Sequence, residues 1–141
     1  MNMNDYGAEA AVLNIECLAE KNTNFRTALW TGKHLQVTLM CIPVGGEIGK
    51  EMHPDVDQFI RIESGFACVM MGKCEFDLNH HHNVNGNCLI IVPSGMWHNI
   101  INTGNTPLKL CSIYAPPQHP RSTIHRTKED AENAEKHCDC R

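Results

Sequence analysis

The chain has 141 residues, 42% hydrophobic and 20% charged, which is the size and composition of one domain with its own buried core. Its formal net charge of -4 disfavours a role on nucleic acid or on an anionic membrane surface. No apolar run is long enough for a membrane-spanning helix and the first residues lack a signal-peptide pattern, so we expect a cytoplasmic protein with neither a membrane nor a nucleic-acid partner.

Helical signals occur only near the two ends of the sequence. Residues 14–21 are typical of a short helix that ends before a polar turn. Thr127, with Asp130 three residues later, is a capping-box type start for a polar helix over residues 128–137. We therefore predict one domain over residues 1–141. Its parts are an N-terminal arm (1–33), a core (about 34–115) and a C-terminal helical tail (118–141).

The middle of the chain consists of short apolar runs separated by Gly, Pro and Asn. The predicted strands cover residues 36–42, 58–63, 66–71, 74–78, 88–92, 98–101 and 108–114. Gly72 and Lys73 have the spacing of a two-residue hairpin turn. Because no long helix separates the strands, the pattern predicts an all-β antiparallel sandwich or barrel and not a parallel sheet.

The chain contains eight cysteines. Four of them lie inside apolar strand-like runs: Cys41, Cys68, Cys88 and Cys111. In the cytoplasm thiols stay reduced, so we interpret these four as small core hydrophobes and not as a disulfide framework.

Two separate stretches of the chain carry side chains that ligate metals. Glu51 and His53 are two residues apart, a spacing that in an extended segment places both on one face. Gln58 follows, and His98 arrives from a distant segment after a turn at residues 93–95. Two imidazoles, a carboxylate and an amide oxygen suit Zn, Mn, Fe, Ni or Co. Spacing alone leaves open whether they converge, because a single histidine is more often structural.

The two stretches resemble the two motifs of the cupin superfamily. The first reads Gly-x5-Glu-x-His-x4-Gln-x6-Gly from residue 45 to 65, and the second reads Pro-x-Gly-x2-His-x3-Asn from residue 93 to 102. The resemblance covers residues 12–135 and is greatest to small stand-alone cupins, some labelled mannose-6-phosphate isomerase-like. It implies a jelly-roll β-barrel (a double-stranded β-helix) with a metal inside, often assembled as a homodimer.

Two positions depart from the family pattern. Glu51 stands where the first motif usually has histidine, and Gln58 stands where it usually has glutamate. Both still offer oxygen atoms, so the resemblance implies metal binding by Glu51, His53, Gln58 and His98. The neutral amide makes the site less anionic and leaves the identity of the metal open.

Three further residues are candidates for the substrate pocket: Trp97, Tyr114 and Arg26. Trp97 either lines the pocket or packs in the core. Tyr114, Arg26 and Arg61 could contact an anionic substrate. Arg61, however, alternates with Ile60 and Ile62, so we expect its side chain to face outwards.

Several other polar residues are interpreted as structural. Residues 80–82 are three consecutive histidines, which point to alternate faces and therefore suit a solvated hairpin tip better than one metal ion. Cys138 and Cys140 could form a soft-metal pair, but they lie in a tail that we expect to fray. Asp55 and Asp57 could accept a proton near the metal, but we expect them to cap the turn after His53.

Three functions remain open from the sequence. The first is a metal-dependent, isomerase-like enzyme acting on a small polar substrate such as a sugar or sugar phosphate. The second is an iron- or copper-dependent dioxygenase. The third is a non-catalytic cupin that binds a small ligand. The sequence does not identify a catalytic base, and fold alone does not choose among these functions.

Overall fold

The computed structural model describes residues 4–139, and the side chains of residues 4–135. In chain order the elements are α1 Ile15–Lys21, β1 Arg26–Thr31, β2 Gln36–Ile42, β3 Asp57–Ser64, β4 Ala67–Gly72, β5 His80–Val84, β6 Leu89–Val92, β7 Trp97–Asn102, β8 Leu108–Ala115, β9 Ile124–His125 and α2 Lys128–Asp139. The predicted all-β fold with a short helix near each end is confirmed.

The strands form two antiparallel sheets. The larger has the strand order β6-β3-β8-β2-β1-β9, and the smaller has the order β5-β4-β7. The main apolar cluster draws on both sheets, with Ile60 and Leu110 from the larger one and Val69 and Ile100 from the smaller one. The sheets therefore enclose one interior, as in a jelly roll.

Alternation along β3 decides which side chains enter that interior. Gln58, Ile60 and Ile62 are buried, whereas Asp57 and Phe59, which alternate with them, are exposed. Arg61 is exposed too, as predicted. A period of two is what a strand with one face on the core requires.

The barrel interior is apolar at one end and polar at the other. Along β8 the inward positions run Leu108, Leu110, Ser112 and Tyr114, and their partners on β3 put Ile62 opposite Leu110 and Gln58 opposite Tyr114. Directly opposed residues of an antiparallel pair share a face. Gln58 and Tyr114 therefore lie together at the polar end.

Each helix begins directly after a residue whose side chain caps its first turn. The Asn14 side chain accepts a hydrogen bond from the Cys17 amide (3.0 Å), and Thr127 Oγ1 accepts one from the Asp130 amide (3.1 Å). Helix α1 packs Ala19 against the outer face of the larger sheet, and α2 buries Ala131 in the main cluster. No helix within residues 4–139 is long and apolar enough to cross a membrane.

The predicted strand at residues 74–78 is wrong. Instead, the Asp77 amide donates to the Cys74 carbonyl (3.1 Å) and closes a local turn, and β5 begins at His80, opposite Met71. This hydrogen bond satisfies one backbone N–H and one C=O within the turn, so these groups need no partner on a neighbouring strand. The three consecutive histidines therefore lie in an exposed edge strand and not at a hairpin tip.

The cysteines with described side chains are all free thiols, as predicted. Of the four cysteines predicted to be core hydrophobes, Cys111 is buried. The prediction is wrong for Cys41 and Cys68, which are half-buried on β2 and β4, and for Cys88, which is half-buried just before β6. Burial, together with the nearby Glu63 carboxylate, raises the pKa of Cys111 to about 12, so this thiol behaves as a core side chain. The predicted Cys138 and Cys140 pair lies outside the described side chains.

Candidate metal centre

Backbone pairing brings the first motif to the second. The Glu51 amide donates to the His98 carbonyl (3.0 Å), and the His98 amide donates to the Glu51 carbonyl (2.9 Å). This reciprocal bridge is antiparallel, so the two side chains project from the same face.

A glycine turn holds His53 beside that bridge. The Gly95 amide donates to the His53 carbonyl (2.8 Å), and Gly95 has a φ of 82°. Glycine adopts this left-handed conformation without the steric cost that a Cβ atom brings. Asp57 accepts a hydrogen bond from the Ser94 amide (2.9 Å), so it stabilises this turn and not the turn after His53 that the sequence predicts.

Three ligand-type atoms converge at this point. Glu51 Oε1 lies 3.6 Å from His53 Nε2 and 3.3 Å from His98 Nε2. His98 Nδ1 lies 3.2 Å from the Met96 carbonyl oxygen, which can only accept, so Nδ1 donates to that carbonyl and Nε2 faces Glu51. One carboxylate and two imidazoles within 4.8 Å of one another form a possible metal-binding group.

Gln58 adds a fourth ligand-type side chain at the same end of the barrel. Its Nε2 donates to Ser112 Oγ (2.8 Å), which fixes the amide, while its Oε1 is buried without a hydrogen-bond partner. Tyr114, directly opposite Gln58, contacts the His53 ring edge-on with centroids 5.8 Å apart. Gln58 therefore lies next to a residue that touches the group.

Unpaired buried atoms indicate a missing bonding partner. His53 Nε2 and His98 Nε2, like Gln58 Oε1, are buried and lack a hydrogen bond within the described part of the chain. Each such atom costs about 1–3 kcal/mol if nothing binds it. All three are lone-pair donors, which fits a divalent cation.

The charge state of Glu51 suits a cation as well. Burial would raise its pKa, but the His53 and His98 imidazoles beside it outweigh burial and hold the pKa of Glu51 well below its ordinary value. Glu51 is therefore ionised at neutral pH and offers a negative charge to the group.

The group is open to a cleft of about 830 Å³. Glu51 and His53 lie on one wall, with the half-buried Trp97 beside them. Residues 118–125 and α2 form the opposite wall. Trp97 therefore lines the cleft, which was one of the two roles that the sequence left open.

The remaining sequence candidates lie deeper, and two histidines escaped the sequence analysis. Tyr114 and Arg26 are buried, with exposed fractions of 1% and 2%. His119 packs edge-on against Tyr114 (5.2 Å), and His125 follows it (6.3 Å). Both histidines come from a segment without a motif, and only the pairing of β9 with β1, which sets Arg26 opposite His125, reveals their position.

Comparison with known proteins agrees with this architecture. Residues 38–114 match the family model described as "Cupin domain". The chain is 58% identical over 133 residues to the uncharacterized protein YrkC of Bacillus subtilis, covering 94% of this chain and 72% of that protein. It resembles a crystal structure from Bacillus halodurans with a TM-score of 0.92 and 52% identity, covering 93% of this chain and 99% of the other. KdgF from a Halomonas species, at a TM-score of 0.59 and 12% identity (66% of this chain, 80% of that one), shares the fold alone.

Proposed function

Because the chain belongs to the cupin domain family, we propose that it holds a divalent metal ion at the polar end of its barrel and acts on a small polar substrate. The proposed ligands are Glu51, His53, Gln58 and His98. The observation that carries this proposal is the set of buried, unpaired lone-pair atoms on His53, Gln58 and His98 beside the ionised Glu51. A divalent ion would satisfy all of them at once.

The open cleft favours chemistry over a purely structural metal. Structural metal sites are closed by protein ligands, whereas catalytic sites keep a position for water or substrate. Glu51 and His53 line a cleft of about 830 Å³, which is large enough for a sugar or sugar phosphate. A non-catalytic role is therefore the weaker proposal.

When bound, the metal would supply a Lewis acid that polarises a carbonyl or hydroxyl oxygen, as isomerisation requires. The protein side chains would bind and orient the substrate around it. Trp97 offers an apolar wall beside His53, and the Tyr114 ring holds the His53 imidazole by its edge contact. Burial raises the pKa of Tyr114, so its hydroxyl stays protonated at neutral pH and acts as a hydrogen-bonding group and not as a base.

The direct test is turnover by the metal-loaded protein. Protein loaded with Zn, Mn, Fe, Co or Ni is assayed against a panel of sugar phosphates and keto acids, with and without oxygen. We expect isomerisation that does not depend on oxygen, and its loss in His98→Ala but not in His34→Ala, whose exposed ring is not among the residues that line the cleft. Oxygen consumption coupled to turnover would instead support a dioxygenase. No turnover with any metal would contradict an enzymatic role.

A further inference from the structure

The outer face of the larger sheet carries a cleft that is separate from the metal centre. The cleft has a volume of about 480 Å³ and lies between the sheet and the segment before α1. Its floor is a row of paired residues, in which Trp30 opposes Val37, Val37 opposes Ile113 and Ile113 opposes Phe59. Phe59 directly follows Gln58 along β3, so these two side chains point to opposite faces. The cleft therefore lies on the far side of the sheet from the metal-binding group.

The segment before α1 is anchored on both sides of the cleft. The Trp30 indole N–H donates to the Glu9 carbonyl (2.7 Å), and α1 packs Ala19 against the same sheet face. Between these two anchors, Ala11 and Leu13 line the wall of the cleft. The cleft is therefore bounded by segments that a hydrogen bond and core packing hold in place.

The size and the walls of the cleft suit a small molecule with an apolar body. Small-molecule pockets have volumes of about 300–1,000 Å³ and mostly apolar linings. Trp30, Val37 and Ile113 are half-buried and Leu35 is exposed, so apolar surface in the cleft remains uncovered. An apolar ligand group would gain free energy by covering this surface.

Glu63 brings a buried carboxylate to the same cleft. Its side chain is 4% exposed, and its Oε1 atom has no hydrogen-bond partner within the described residues. Arg61 Nε lies 3.5 Å from this oxygen, in an ion pair without a hydrogen bond. Because a buried acceptor without a hydrogen bond is unfavourable, Glu63 favours a ligand that supplies a donor.

The charges around Glu63 favour a cation as that donor. Glu63 also lines a neighbouring cleft of about 500 Å³, together with Glu16, Glu20 and Lys21. Burial raises the pKa of Glu63 and the Glu16 carboxylate adds to this effect, whereas Arg61 acts in the opposite direction. The three carboxylates outnumber the two cations, so a positively charged ligand group would offset the excess negative charge.

We propose that this cleft binds a small amphipathic amine, with its apolar body on Trp30, Val37 and Ile113 and its ammonium group donating to Glu63. A neutral ligand would leave the excess negative charge in place, and an anionic ligand would be repelled by the carboxylates. The site goes beyond the proposed function, because it lies on the other face of the sheet and needs no metal.

Three probes that share one apolar body test the proposal. Phenylbutylamine, phenylbutanol and phenylbutyrate are titrated separately into the full chain at neutral pH and constant ionic strength. The Trp30 indole N–H and the methyl groups of Val37 and Ile113 are followed by NMR. We expect saturable shifts with the amine and an affinity about tenfold or more above that of the alcohol, since only the amine forms a charge-assisted hydrogen bond with Glu63. The butyrate should bind most weakly.

Variants identify Glu63 as the group that recognises the amine. Glu63→Gln keeps the shape of the side chain but removes its charge, so the amine should lose its advantage over the alcohol. Glu47→Gln is the matched control, because Glu47 is also ion-paired, to Lys128 (3.8 Å), but does not line this cleft. Arg61→Gln removes the cation that competes for Glu63 and should strengthen amine binding several-fold. Arg61 is exposed, so this variant keeps the test available if Glu63→Gln does not fold.

Three results would overturn the proposal. The first is the absence of saturable shifts with the amine. The second is equal affinity of the wild type for the amine and the alcohol, or amine binding that is unchanged in both Glu63→Gln and Arg61→Gln. The third is a shift of the same Trp30, Val37 and Ile113 resonances on raising the protein concentration without any probe, because a second copy of the chain would then fill the cleft.

Discussion

At the scale of single residues, Gln58 is the least expected member of the metal-binding group. Its amide is anchored by Ser112, so the buried Oε1 cannot rotate away to find another partner. The histidines could be interpreted as an ion pair with Glu51, but a fixed, unpaired amide oxygen has no such explanation. Substitution of Gln58 is therefore a sensitive test of metal binding at this site.

Gln58→Glu is expected to make stability depend on metal. In metal-free protein the new carboxylate is buried without a cation to pair with, so the free energy of unfolding should fall by about 3 kcal/mol or more. Zinc should restore it and raise the melting temperature by more than it does in the wild type. Thermal unfolding with and without zinc measures both effects.

Gln36→Glu is the matched control. Gln36 is also a buried amide opposite Tyr114, but both ends of its amide are already hydrogen-bonded, for example to the His119 backbone. The Gln36→Glu variant should be less stable than the wild type, and zinc should not restore its stability. Equal zinc rescue of the two variants would argue against Gln58 as a ligand.

His119 should make stability depend on pH. Its pKa is lowered to about 3 by burial and by the charge of Arg26, so between about 6.5 and 3 the unfolded chain binds a proton that the folded chain does not. Stability should therefore be fully present above pH 6.5 and fall as the pH drops, by at most about 1.4 kcal/mol per pH unit.

Denaturant unfolding of metal-free protein across that range measures the slope. His119→Gln should flatten it, whereas the exposed His34→Gln should not. A wild-type slope unchanged by His119→Gln would contradict a neutral, buried His119.

At the scale of elements, the turns before and after the motifs decide whether the ligands meet. Gly95 and Gly45 both have positive φ (82° and 77°), and a Cβ added at either would touch no other atom. Only the Gly95 turn bonds to His53. Gly45 follows β2, at the apolar end of the barrel.

Substitutions of these two glycines separate the effect of backbone strain on stability from the effect of the Gly95 turn on the position of His53. Gly95→Ala and Gly45→Ala should each lower stability by about 1–2 kcal/mol, because an L residue is strained in this conformation. Only Gly95→Ala should also weaken zinc binding, by several-fold, when affinity is measured by calorimetric titration. Equal zinc affinity in both variants would show that the Gly95 turn does not position His53.

The sequence predicts elements better than it predicts their partners. Alternation along β3 places Gln58 inside and Arg61 outside without any knowledge of the sheet, and the turn glycines mark where strands end. His119 and His125 could not be predicted, because their approach to Arg26 depends on a two-residue strand pairing across about 100 residues. The prediction of a strand at residues 74–78 is wrong because a hydrogen bond within a turn forms there in place of strand pairing. Amino-acid composition does not show which of these two structures is more stable.

At the scale of the whole molecule, one sheet face remains apolar and exposed. Phe59 and Ile91 are directly opposed on β3 and β6, and Leu89 lies on the same outer face. Their exposed fractions are 36%, 56% and 58%. Contiguous apolar surface of this kind favours association, and we expect the homodimer implied by the family resemblance to form through it.

Ile91→Glu should therefore convert a dimer to a monomer. Val44→Glu is the matched control, because Val44 is 55% exposed in the turn after β2, away from this face. Sedimentation equilibrium of wild type and both variants gives the mass of each. A monomeric wild type, or a dimeric Ile91→Glu, would contradict assembly through this face.

The central claim is that the polar end of the barrel binds a divalent metal. Elemental analysis of protein purified without added metal, followed by zinc titration of chelator-treated protein, tests it most directly. We expect about one equivalent of divalent metal per chain, and affinity weakened by about 100-fold or more in His98→Ala but not in His34→Ala. No stoichiometric metal together with no saturable zinc binding would contradict the claim.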